Sequence, residues 1–297
     1  MKKFLLKVVL FFTALLVIDR ACGYTLAYMY EHSKGGYTEH FQYITNKTNE
    51  DVLIFGSSRA VHHYNPKIIT DSLGLSCYNC GQDGNGIILF YGWWNVISQR
   101  YHPKWIVYDI TPGYDLHVGE DNHKYLGWLK ESYDRDGIKD IFLSIDNTEP
   151  YKMMSWMYRY NSNWHQIMAD YIHPVYEFKN QGFLPLEGSV DLMRIKESTK
   201  RKDYIFDPLK IDYLKKLMEE RGETNIAFVV SPSWYGINEK ELQPLIEICN
   251  SKKIAFINFG NDKKYIHNAK FFKDGLHLNA EGADEFTKDL MHQLKFL

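Results

Sequence analysis

Short apolar runs punctuate the chain, each closed by a glycine, a polar turn or a proline. Residues 51–55, 75–78, 105–110, 225–230 and 254–259 are such runs. Continuous apolar runs of this length read as strands buried on both faces. The segments between them carry helical spacing. Asn65-Pro66 opens a helix to about residue 73, since proline suits the first helical position. Further helices are predicted over 86–100 and 207–222, from 238 onward, and over 280–297. Strands separated by single helices pair in parallel through right-handed crossovers. The pattern predicts an α/β protein, a three-layer flavodoxin-like sandwich around a five-stranded parallel sheet. Ligands of such sheets bind beyond the carboxyl ends of the strands.

Two stretches break the alternation. Lys2, Lys3 and Lys7 precede an apolar run over residues 8–18 in which only Thr13 is polar. Charge ahead of an apolar core marks a secretory signal or a signal anchor. No small-x-small cleavage site follows Ile18. Residues 1–30 are therefore predicted as an uncleaved transmembrane helix with a juxtamembrane segment, its lysines on the cytoplasmic side. This predicts a single-pass inner-membrane protein whose remaining domain, residues 45–297, faces the periplasm. The second break spans about 112–200. Within it, residues 153–171 have helical apolar spacing and 180–188 read as a loop or hairpin. The whole stretch is predicted to be an insertion over the active face.

Composition narrows the classes. At 45% hydrophobic and 24% charged residues the chain is globular rather than disordered. Lys+Arg 35 against Asp+Glu 37 leaves no basic excess for a nucleic-acid partner. Four cysteines do not make a disulfide scaffold of this length. Cys77 and Cys80 form a C-x-x-C pair, but no second pair completes a zinc site. They read as small residues ending a buried strand, or as a disulfide if the compartment is oxidising. No metal or cofactor is expected.

The chemistry gathers at the two ends of the domain. Gly56-Ser57-Ser58-Arg59 follows the first strand. A serine just past a strand presents its hydroxyl at the sheet's carboxyl edge, with its own N–H beside the reacting oxygen. Asp274-Gly275-Leu276-His277 precedes the last helix. A histidine can act as base, and a carboxylate three residues earlier can fix its tautomer. Together these segments resemble the first and last blocks of the SGNH/GDSL hydrolase superfamily, specifically its membrane-anchored envelope branch. The resemblance implies Ser58 as nucleophile, His277 as base and Asp274 as its orienting carboxylate. It also implies an oxyanion hole built from the Ser58 N–H and Gly84, with Gly81 as the alternative glycine. The family's third-block asparagine is absent, and Asp109-Ile110-Thr111-Pro112 stands there instead. Either Asn85 substitutes as a donor or the hole has two donors only.

Other residues fill secondary roles. Arg59 and Arg159 can hold an anionic group of a substrate, and Asp109 ends a strand at the reactive edge. Trp128, Trp156 and Trp164 in the insertion can stack on sugars or build a local core. His62 and His63 read as surface residues. The resemblance implies a serine esterase or O-acyltransferase acting on acyl esters of a cell-envelope carbohydrate or polymer, alongside a membrane O-acyltransferase partner. The rival is a catalytically weak binding or scaffold protein of an envelope polysaccharide assembly.

Overall fold

The strand β1 (Val52–Gly56) is apolar and buried at every position. Its side chains alternate between two cores, with Leu53 and Phe55 on one face and Val52 and Ile54 on the other. The computed structural model describes residues 1–119, 121–175, 178, 180–195 and 204–294. Within it β1 pairs in parallel with β2 (Cys77–Asn79) and β3 (Trp105–Asp109). β4 (Asn225–Val230) and β5 (Ala255–Asn258) continue the sheet, again in parallel. The order is β2-β1-β3-β4-β5, that of a flavodoxin-like sheet.

Helices cover both faces. On one side lie α3 (Ser58–His63), α4 (Pro66–Leu73) and α13 (Ala280–Leu294). On the other lie α5 (Ile87–Ser98), α11 (Pro208–Glu219), α12 (Gln243–Lys252) and α2 (Gly36–Asn46), which contributes Phe41 and Ile44. Trp93 and Trp94 of α5 are fully in the core. The last predicted helix extended to residue 297; its final three residues lie outside the described ones. Cys77 and Cys80 are free and buried on opposite faces of the sheet. Facing apart, they neither bridge nor chelate.

The N-terminus departs from expectation. α1 runs over Lys2–His32. No helix among the described residues is long and apolar enough to cross a membrane. The uninterrupted apolar run, residues 8–18, spans only about 16 Å at helical rise, against a hydrocarbon core of about 30 Å. Asp19 closes the run because it is bound to the folded body. Its carboxylate accepts the N–H of Trp156 at 3.0 Å and of Met157 at 3.1 Å, and the hydroxyl of Ser155. Gly23 then packs on Trp156, where an added Cβ would meet the Trp156 Cβ at 2.4 Å. The second half of α1 is thus a docked helix of the domain, not a juxtamembrane tether.

The insertion also differs. The stretch of helical apolar spacing over 153–171 forms two helices, α9 (Trp156–Tyr160) and α10 (Trp164–Ile172). The polar triplet between them is spent on other partners. Lys130 Nζ donates to Asn161 and Ser162, and buried Asn163 donates to the Gly127 carbonyl at 2.9 Å. Both helices pack on α1 rather than over the sheet's carboxyl edge. Residues 180–183 do form a tight hairpin, with Gln181 and Gly182 in the left-handed region. It lies along the β2 edge, where Asn79 donates to Gln181 O at 2.8 Å.

The turn after β3 is braced by two buried ionisable groups. Asp115 accepts the Tyr108 hydroxyl and the Thr111 N–H, each at 2.7 Å. Lys210 donates to the His117 carbonyl at 2.8 Å. Burial outweighs these hydrogen bonds and pushes the Asp115 carboxyl up to about 7. The folded state therefore holds this proton while the unfolded chain releases it near pH 4. Asp115's contribution is full below about pH 4 and is lost as pH rises to about 7. In urea titrations, the stability difference between wild type and Asp115→Asn should change by a few kcal/mol, in that direction, between pH 4 and 7. A pH-independent difference would show that Asp115 is ionised in the fold throughout.

Candidate active site

β1 ends on Gly56 at φ 138°, a conformation that turns the chain sharply into α3. Ser57 caps that helix and Ser58 is its first residue. An N–H at this helical position has no intrahelical acceptor, so it stays free for a ligand. The opposing loop is a narrow turn closed by the antiparallel bridge Phe272↔Leu278 and by Lys273 N–H donating to His277 O at 2.9 Å. It lifts His277 towards α3. The His277 Nε2 stands 2.8 Å from Ser58 Oγ. Its Nδ1 lies 3.0 and 3.1 Å from the two oxygens of Asp274. An ionised carboxylate only accepts, so the proton sits on Nδ1 and Nε2 offers its lone pair to the serine.

Asp274 is suited to that role. Partial burial raises its pKa, but the hydrogen bonds from His277 and from the Leu276 and His277 N–H groups prevail and hold it at about 2. It therefore stays anionic at any ordinary working pH.

The pair opens into a cavity of about 860 Å³. Its walls include Thr111, Tyr114, Tyr235, Asn238, Glu241 and Asn261. The β3–α6 turn, with α6 (Pro112–Asp115), supplies one wall and the turns after β4 and β5 supply another. Among the described residues of the expected insertion, only those at its start, such as Tyr114 and His117, reach this cavity, joined by Tyr204 just past its far end. The tryptophans do not line it. Trp128 packs on Phe41, Trp156 on Tyr24, and Trp164 is exposed on α10.

The remaining expected residues fall in different places. Arg59 lines the cavity but is buried, and its guanidinium is engaged by groups at the strand ends. Its guanidinium donates to the carbonyls of Ile110 and Ser231, and its Nε lies 3.4 Å from Asp109. Asp109 is wholly buried and accepts the Tyr64 hydroxyl at 2.7 Å and the Ser231 N–H at 2.9 Å. Both side chains tie strand ends together rather than meet a ligand. Arg159 pairs with Asp134 beside Trp156, away from the site. Gly81 is excluded from the oxyanion hole because its N–H donates to Asn79 Oδ1 at 2.9 Å. Gly84 sits at φ 66° in the turn beside the site. That turn is tied to Gly56 through Gln82 N–H, and its Asp83 lies 3.7 Å from His62. Asn85 donates one amide N–H to the Asp83 carbonyl at 2.9 Å and its main-chain N–H to the Gln82 carbonyl at 3.2 Å. Neither Gly84 nor Asn85 lines the main cavity.

His62 and His63 are not surface residues. The His62 ring lies 5.5 Å from the His277 ring and its Nδ1 donates to Leu184 O at 2.7 Å. His63 is fully buried. The signal for both was present: a helix starting at Ser58 places residues four and five positions later on its inward side. The helix read from Asn65 is α4, as found; α3, the short helix before it, is what the apolar pattern left unmarked.

The sequence matches no family model and no curated protein. Solved structures do resemble it. One is a protein from Desulfitobacterium hafniense assigned to the G-D-S-L lipolytic family, 10% identical, TM-score 0.40, covering 82% of this chain and 99% of that one. Another is a catalytic mutant of an acetylxylan esterase from Geobacillus stearothermophilus, 13% identical, TM-score 0.41, covering 84% and 96%. A third is an acetyl xylan esterase from Butyrivibrio proteoclasticus, 8% identical, TM-score 0.37, covering 82% and 63%. At such identities and TM-scores the chemistry has to rest on the site itself. These structures are thus one G-D-S-L lipolytic protein and two acetylxylan esterases, and the likeness to them is one of fold.

Proposed function

We propose that this protein is a serine esterase or O-acyltransferase that acts on acyl esters of a cell-envelope carbohydrate through an acyl-Ser58 intermediate. The observation that carries this reading is the 2.8 Å approach of His277 Nε2 to Ser58 Oγ, with Asp274 on the other ring nitrogen. Ser58 Oγ attacks the ester carbonyl as His277 takes its proton. The Asp274 carboxylate stabilises the imidazolium that forms. The oxyanion faces the free N–H of Ser58, with the Gly84 turn beside it. The leaving alcohol takes the proton from His277 as the carbon–oxygen bond breaks. Water or a sugar hydroxyl then gives its proton to His277 and attacks the acyl carbon; the bond to Ser58 Oγ breaks as Oγ takes that proton back from His277, releasing the acid or the new ester.

A carbohydrate substrate is supported by the cavity's chemistry. Tyr114, Tyr204 and Tyr235 offer amphipathic rings, and Asn238, Glu241 and Asn261 offer polar groups. A fluorophosphonate probe should label the intact protein at Ser58, and acetylated polysaccharide should compete for labelling. Absence of labelling at Ser58 would end the covalent reading and favour a binding or scaffold role. Labelling that long-chain lipid esters block, and acetylated polysaccharide does not, would remove the carbohydrate.

A further inference from the structure

We propose that His63 is a positioning residue for the Ser58–His277 pair, acting through the main chain of the loop that carries His277. The proposal rests on the serine-esterase reading for its kinetic consequences, but not for its structural ones. The helix α3 begins with Ser58 and ends with His63, so one short rigid element carries both. His63 Nε2 accepts the N–H of Leu278, the residue after His277, at 2.9 Å. Among the described residues this is the single hydrogen bond from α3 to the main chain of the 272–278 loop.

The far side of the ring is held equally. His63 Nδ1 lies 3.0 Å from Ser231 Oγ, and the Ser231 N–H donates to buried Asp109 at 2.9 Å. Thr287 of α13 donates to the His63 carbonyl at 3.1 Å. A polar chain thus runs from the end of β3 through Ser231 and His63 to the base loop. Because Nε2 accepts, the proton sits on Nδ1 and the ring is neutral. Burial, and then the neighbouring His277, Arg59 and His62, hold His63 well below the ordinary histidine range. It therefore remains an acceptor where a histidine base works. An apolar side chain in its place would leave the Leu278 N–H buried and unpaired. The loop would shift to find a partner, and a displacement near 1 Å at reacting atoms costs up to about 10²-fold in rate.

The test compares His63→Met, which fills similar volume without the acceptor, with His63→Gln, whose amide oxygen can reach the same N–H. Turnover of an aryl acetate and hydrogen exchange of the Leu278 amide are both measured. His63→Met should lower kcat about 10- to 100-fold at unchanged KM, and His63→Gln should recover most of it. Exchange at Leu278 should speed up in the first variant and stay slow in the second. Wild-type kcat in His63→Met, or equal losses in two well-folded variants, would overturn the proposal. If the wild type hydrolyses no ester, the esterase reading fails. Exchange then decides alone, and an unchanged Leu278 rate in His63→Met overturns positioning. Should His63→Met not fold, Ser231→Ala takes its place: a lower kcat at unchanged KM supports the chain, and an unchanged kcat refutes it.

Discussion

Ser58→Ala and His277→Ala should each cut turnover of a short-chain aryl ester by at least about 10³-fold. The losses should be similar, because the hydroxyl is nucleophilic only while the imidazole takes its proton across the 2.8 Å contact. Neither change should lower the urea midpoint greatly, since both side chains lie at the surface of the cavity rather than in the core. Asp274→Ala should cost less, as it frees the tautomer without removing the base. Because Asp274 is held at about 2, its own protonation should cause no fall in turnover above about pH 4. Full activity in Ser58→Ala with loss in Ser57→Ala would move the nucleophile by one residue.

These residues were legible because their signals are local. A strand, a glycine and a serine in succession put Ser58 at the carboxyl edge, and a turn before the last helix put His277 there too. The sheet was legible for a similar reason: strands buried on both faces must be apolar at consecutive positions, as Val52 to Phe55 are. What failed to show depends on partners distant in sequence. Nothing around Asp19 announces that it caps Ser155, Trp156 and Met157. Those contacts turn half of a predicted anchor into a docked helix. They also draw α9 and α10 away from the cleft. Arg59 illustrates the same limit. Its position beside the nucleophile suggested a ligand for substrate anions, but three strand-end groups, Ile110, Ser231 and Asp109, had already claimed it.

Replacing Gly56 by alanine should damage both the fold and the reaction. Gly56 has φ 138°, a region open in practice to glycine alone and costing other residues about 1–3 kcal/mol. Space is lacking as well. A Cβ there would meet the Asp109 carbonyl oxygen at 2.6 Å and the Ala60 Cβ at 2.9 Å. The first of these is backbone in β3, which cannot rotate away, so overpacking adds about 1–3 kcal/mol more. The loss is a large part of the roughly 5–15 kcal/mol that holds a domain together. The chain could relieve the clash only by moving β1 off β3 or α3 off β1, and α3 carries both Ser58 and His63. The surviving folded fraction should therefore show a lower kcat per labelled site, besides a lower urea midpoint. Gly84→Ala provides the contrast. It too has a positive φ, 66°, but nothing lies within 4 Å of an added Cβ. Only the left-handed cost of about 1–2 kcal/mol applies there. Equal midpoints for the two variants would mean that the β1–β3 contact can yield, and that the tight turn into α3 is not what holds Ser58 against His277.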